Sequence, residues 1–199
     1  IFAFALVKEC WKVTVTPDAE KADQLLAAGR SAKRTTTGAL AHGFTDALRA
    51  QLKRRGVPAG RDDLHLALAA EAISKSVAGA LAQPHVHGLI LIPHGDDGAV
   101  REALRRVAST GNGEPSPAAV RLESFDPDAP ERWAHYLTEG FCERHAVPSA
   151  AYLSQPAARA AKALYDADRH AFLRGDIDLL GRRRYKNPAH WNARRNRLA

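Results

Sequence analysis

The chain has 199 residues, a formal net charge of +7 and an apolar content of 45%. That length suffices for one proper hydrophobic core plus an extension, and the composition suits a soluble globular protein rather than a disordered, fibrous or membrane-embedded one. Two cysteines, Cys10 and Cys142, stand far apart in no metal or redox spacing, which excludes a disulfide framework and predicts reduced thiols in the cytoplasm.

In chain order, the opening Ile1-Phe2-Ala3-Phe4-Ala5-Leu6-Val7 is too short to cross a bilayer and has no basic leader. It reads as a strand or as the continuation of a longer chain. A strand is predicted over 2–16, ending in Trp11-Lys12-Val13-Thr14-Val15-Thr16-Pro17. Residues 18–37 predict a short helix and then a loop, Lys33-Arg34-Thr35-Thr36-Thr37, suited to phosphate contact. A helix follows over 38–55.

The next strand is predicted over 64–72. Leu64, Leu66 and Leu68 share one face, which leaves His65, Ala67, Ala69 and Glu71 on the other. Small alanines keep that second face open near the carboxylate, as a cavity requires. The segment Ala72 to Gln83 then leads to Pro84-His85-Val86-His87-Gly88-Leu89-Ile90-Leu91-Ile92, a strand over 85–92. His85 and His87 project to one side of it and Val86 to the other. Their Cα atoms lie roughly 6.6 Å apart at ~3.3 Å per residue, near enough for both imidazoles to reach one metal ion. The plainer alternative is a half-buried strand with two polar residues on its wetter face. If 72–83 makes a hairpin, Glu71 stands beside the pair across neighbouring strands. Two imidazoles and one carboxylate leave coordination positions open, as a catalytic site needs. His65, on the face of Glu71, is the reserve ligand.

Further on, a helix is predicted over 97–108, a loop at Gly111-Asn112-Gly113-Glu114-Pro115-Ser116-Pro117 and a strand over 118–125. A helix over 129–139 has Asp128 as cap, Pro130 in its first turn, Glu131 three positions after the cap and Gly140 as stop. Trp133, Tyr136 and Leu137 recur at i, i+3 and i+4, which puts Tyr136 on or beside the inward face. An alanine-rich helix is predicted over 156–173. The tail carries Arg182, Arg183, Arg184, Lys186, Arg194, Arg195 and Arg197 and no acid, so it accounts for the whole net charge. Tyr185, His190 and Trp191 are interleaved. Cations neutralise phosphates and aromatic faces stack on unpaired bases, so the tail reads as a nucleic-acid contact; its plainer alternative is a solvated tail. Strands interleaved with helices predict an α+β fold: an antiparallel sheet carrying the His-x-His strand, with helices packed on it. The expected division is a catalytic domain over 1–147 and a helical C-terminal extension over 148–199, basic from 182.

Taken together, His85-Val86-His87, Glu71 on the preceding strand, Tyr136 on a later helix and the early Thr14-Val15-Thr16 resemble the HUH endonuclease superfamily, and within it the replication initiators of rolling-circle plasmids. The resemblance runs over roughly residues 10 to 145. It implies a metal held by His85, His87 and Glu71, with Mn²⁺ or Mg²⁺ as the physiological ion, although these ligand types also accommodate Zn²⁺ or Co²⁺. It implies Tyr136 as the nucleophile in single-strand DNA nicking and joining, with single-stranded or hairpin origin DNA as partner and room for a host helicase. One departure stands out: initiators commonly read Tyr-x-x-Lys, and the last position is Glu139. Arg132, one turn before Tyr136, is the substitute source of charge at the DNA. Two alternatives stay open, a DNA-binding relative with weak or lost cleavage and a single-strand HUH transposase. The transposase would take its third ligand one turn past the nucleophile, where Gly140 has no ligating group. Other His-x-His enzymes fit worse. A metallo-β-lactamase-like site needs Asp and His where Leu89 and Ile90 stand, a cupin needs a glutamate at Leu91 or Ile92, and an amidohydrolase barrel needs a longer chain.

Overall fold

A computed structural model describes residues 10–31, 34–71, 84–92, 96–110, 117–126 and 151–174. Among these, five strands form one antiparallel sheet: β1 (Cys10–Val15), β2 (Leu66–Glu71), β3 (His85–Leu91), β4 (Val120–Ser124) and β5 (Ala151–Leu153). Their spatial order is β4-β1-β3-β2-β5, so the His-x-His strand is central. Four α-helices accompany them: α1 (Ala19–Gly29), α2 (Thr36–Arg54), α3 (Asp97–Ala108) and α4 (Gln155–Leu173). The fold is α+β, as the alternation of patterns predicts.

Strand periodicity gives the sheet two unlike faces. Val13 and Val15, Leu66, Leu68 and Ala70, Val86 and Ile90, and Val120 and Leu122 all enter the main core. There they meet Leu25 of α1, Leu40, Phe44, Leu48 and Leu52 of α2, and Val100, Leu104 and Val107 of α3. Spacings of four along α2 and of three and four along α3 keep each apolar stripe on the sheet. Fully buried Phe44, Leu40 and Leu48 contribute ~1.5–3 kcal/mol each by leaving water. On the opposite face Cys10, Ala67 and Leu89 pack with Phe125 and with Ala157 of α4. Burial there pushes the Cys10 thiol up to about 12, which keeps it protonated and unreactive.

Helix ends follow local chemistry. Thr35 caps α2, its hydroxyl accepting from the Gly38 N–H at 3.2 Å. α2 stops where Gly56 takes a φ of 75°, while the Val57 N–H donates back to the Leu52 carbonyl. Asp18 caps α1 through the Lys21 N–H at 2.7 Å and also accepts from the Thr110 N–H at 3.0 Å, tying the turn after α3 to the start of α1.

Several expectations meet refinements here. The helix foreseen within 18–37 is α1, and the following helix starts at Thr36 rather than 38. β2 starts at Leu66, two residues late, because Leu64 is already packed in the core from an irregular segment. β5 was not foreseen, and through it the sheet takes in chain from beyond residue 147. The predicted helix over 129–139 and the basic tail lie outside the described residues, as do residues 1–9 and Cys142. Among the described residues no helix is long and apolar enough to cross a membrane.

The Asp18 carboxyl yields a pH-dependent expectation. Partial desolvation opposes its ionisation, but hydrogen bonds from the Lys21 and Thr110 N–H groups outweigh this and hold it below the usual carboxylate range. A carboxyl depressed in the folded state stabilises the fold above its unfolded value, near 3.9, and that contribution fades as pH falls through the folded value. Asp18→Ala is expected to lower stability by about 1 kcal/mol at neutral pH, in line with the loss of a helix cap. Urea titrations should show the gap to the parent protein narrowing as pH falls below about 4.

Candidate functional site

The register decides which side chains are neighbours. His87 stands directly opposite Thr14 of β1 and Ala69 of β2, and His85 stands opposite Glu71. Arg121 of β4 is opposite Thr14, and Ala151 of β5 is opposite Ala69. One row across the sheet therefore reads Arg121, Thr14, His87, Ala69, Ala151. The next reads Glu123, Lys12, Leu89, Ala67, Leu153. Directly opposed residues share a face, with Cβ atoms about 4.5–5.5 Å apart. The side chains of Arg121, Thr14, His87 and Ala69, and those of the second row, point away from α1, α2 and α3.

The two imidazoles lie together on that face, with ring centroids 5.3 Å apart and planes at 66°. His87 is fully buried and His85 half-buried. Rings at this separation can each direct a nitrogen at a common ion ~2.0–2.1 Å away, so the donor chemistry fits a divalent metal. Glu71, the expected third ligand, stands opposite His85 in the register; its side chain lies outside the described residues. Ala67 and Ala69 do not keep this face open as expected: both are buried, and Ala67 packs with Cys10, Leu89, Phe125 and Ala157. Among the described residues no three His, Cys, Asp or Glu side chains gather into a metal-holding group.

His65 does not join this centre. It has the right facial parity but sits just before β2, with its backbone carbonyl accepting from the Leu91 N–H at 3.1 Å and its Nδ1 3.2 Å from the Asp63 carbonyl. The distance from there to the level of His87 is about 13 Å at ~3.3 Å per residue, beyond sharing one ion. Facial parity alone does not fix position along a strand.

Gly88 adds a steric condition to the site. A Cβ built there would lie 2.0 Å from the Ala67 carbonyl oxygen and 2.9 Å from the Leu68 Cα. The close approach of β2 to β3 beside His87 thus requires a residue without a side chain.

Two tyrosines outside the predicted helix, Tyr152 and Tyr165, lie among the described residues. Tyr152 of β5 stands opposite Leu68, on the helix-covered face, and its ring meets His42 of α2 edge-on at 4.9 Å. It is turned away from the histidine pair. Tyr165 projects from α4 with 65% of its surface exposed. Tyr136 itself, together with Arg132, Arg182, Arg183, Arg184, Lys186, Trp191, Arg194 and Arg195, lies outside the described residues.

The motif reading passed over the charged partners in the rows beside the histidines. Lys12 Nζ bridges to Glu123 Oε2 at 2.8 Å, and Arg121 Nε lies 3.6 Å from Glu123 Oε1. The alternation Val120, Arg121, Leu122, Glu123 signals this arrangement, since the two apolar residues fix the core face and send both charges to the other. Comparison with family models, with curated proteins and with solved structures returns no match to the chain.

Two outcomes are expected. Gly88→Ala should destabilise the protein by about 1–3 kcal/mol, as overpacking does, and the loss should appear in chemical denaturation. Mn²⁺ should raise the melting temperature in proportion to the logarithm of its concentration, reaching about 2.7 kcal/mol of stabilisation at a hundred times its Kd. His85→Ala, at the half-buried position, should remove that response while the metal-free melting temperature changes little. A response unchanged in this variant would reject the centre.

Proposed function

We propose that the protein is a metal-dependent single-strand DNA nicking and joining enzyme of the HUH type, of the kind that initiates rolling-circle plasmid replication. The observation that carries this reading is the pairing of β2 with β3. It sets Glu71 opposite His85, and both imidazoles lie together on the sheet face turned away from the three core helices. A His-x-His strand paired with a strand that ends in an acidic residue offers the ligand set that the motif resemblance implies. The charged side chains at the β4 end of these rows, Lys12, Arg121 and Glu123, suit contact with a phosphate backbone.

In this reading His85, His87 and Glu71 hold a divalent ion, which would polarise the scissile phosphate and offset the charge that develops on it. The nucleophile is Tyr136. Its phenol, with a reference pKa near 10, is mostly protonated at neutral pH and must lose its proton as it attacks. The tyrosine oxygen bonds to phosphorus, the bond from phosphorus to the 3′-oxygen breaks, and that oxygen takes up a proton. The product is a free 3′-hydroxyl and a 5′-phosphate esterified to the tyrosine. Attack by a 3′-hydroxyl reverses the exchange, so joining consumes no nucleotide. Tyr152 is a poor rival for the role because it faces α2.

Incubation with single-stranded hairpin DNA and Mn²⁺ should give a protein–DNA adduct that survives denaturation. Peptide mapping should locate it at Tyr136, and Tyr136→Phe should abolish it. DNA binding without any adduct would instead favour the cleavage-deficient relative, to which Glu139 in place of lysine already points.

A further inference from the structure

We propose that Lys12, Thr14 and Arg121 form a subsite for a phosphodiester of single-stranded DNA beside the histidine pair, and that Glu123 is the internal anion occupying it in the free protein. The inference rests on the DNA-processing reading for its ligand, but its geometry is independent of the chemistry at the metal. Glu123 spreads its two oxygens over two cations, Oε2 to Lys12 at 2.8 Å and Oε1 toward Arg121 at 3.6 Å. Two non-bridging oxygens of a phosphodiester can address the same two cations, and a guanidinium is well matched to them. The hydrogen bond and charge of Lys12, with the nearby charge of Arg121, hold the Glu123 carboxyl below its ordinary range, so it is a full anion at neutral pH.

Position argues for the same exchange. Arg121 is 76% exposed along its side chain, on the outermost strand among the described residues, so its guanidinium can move without desolvation. Exposed ion pairs of this kind add little net stability, so opening them demands little. Thr14, half-buried between Arg121 and His87, offers a hydroxyl midway along the row. Two strand spacings of about 4.8 Å separate Arg121 from His87, so the subsite lies within about 10 Å of the histidine pair. Glu123 then acts as a competitor that an isolated anion displaces poorly and a polyanion displaces well.

The test is binding of fluorescein-labelled oligo(dT) to the full chain in EDTA, across a salt series, so that no cleavage contributes. Glu123→Gln should tighten binding about threefold or more and steepen the slope of log affinity against log salt toward one further phosphate contact, about 0.7. Arg121→Ala should weaken binding about fivefold and flatten the slope by a similar amount, whereas Arg121→Lys should retain the slope. Melting temperatures close to that of the parent protein will confirm that these exposed positions leave the fold intact. Parental affinity and slope in both Arg121→Ala and Glu123→Gln overturn the proposal, as does loss in Arg121→Ala without gain in Glu123→Gln. The nuclease reading fails separately: absence of an Mn²⁺-dependent adduct, with these binding changes present, removes the chemistry and leaves the subsite standing.

Discussion

The antiparallel register of β3 between β1 and β2 is the constraint on which the rest of the molecule depends. Alternation makes it absolute: a slip of one residue against either neighbour would send His85 and His87 into the apolar space filled by Phe44 and Leu48, and expose Val86 and Ile90. Gly88 reinforces it, because only at that register does the residue lacking a side chain meet the Ala67 carbonyl. The hydrophobic effect thus chooses the orientation of the strand, and the orientation of the imidazoles follows. Stability is concentrated on one face, which frees the other to carry polar groups that a core would not tolerate.

That division of labour explains the composition of each strand. β1 gives Val13 and Val15 to the core and Lys12 and Thr14 to the opposite side; β4 gives Val120 and Leu122 to the core and Arg121 and Glu123 to the other. On the histidine face burial is graded. Leu89, Ala67 and Cys10 are sealed under Phe125 and α4, His87 is enclosed, His85 is half-open and Arg121 reaches solvent. Such a gradient places buried imidazoles next to exposed charges within a few strand spacings.

Much of this was legible in the sequence because it rests on period-two patterning. His85-Val86-His87 and Leu64 to Glu71 disclose both their strands and their facing, and the pairing of those strands follows from a connection short enough to be a hairpin. The misreading of His65 as a spare ligand has the same source: periodicity reports the face of a residue and is silent about its level along the strand. β5 escaped because Ala-Tyr-Leu is three residues long, too brief to show a period, and is held by pairing to β2 and not by local preference. Lys12, Arg121 and Glu123 were legible as outward residues but not as a cluster, since β1 and β4 become neighbours only through the fold. The chemistry assigned to Tyr136 and to the basic tail comes from motif and composition alone.

The junction of β5 with α4 has a consequence for how the chain is made. The Ser154 N–H donates to the Leu66 carbonyl at 2.9 Å, and the Ser154 hydroxyl accepts from the Leu66 N–H at 2.9 Å, closing a buried pair of bonds across 88 residues of chain. β1 is flanked only by β3 and β4, both of which follow it by long separations. At a synthesis rate of about 5–20 residues per second, β2 waits roughly 4–18 s after its own emergence for the strand that covers its outer edge. Throughout that interval a row of strand hydrogen-bonding groups next to an apolar face lies open to other chains. A vectorially synthesised protein with this topology has a built-in window of vulnerability, and the closing of Leu66 onto Ser154 marks its end.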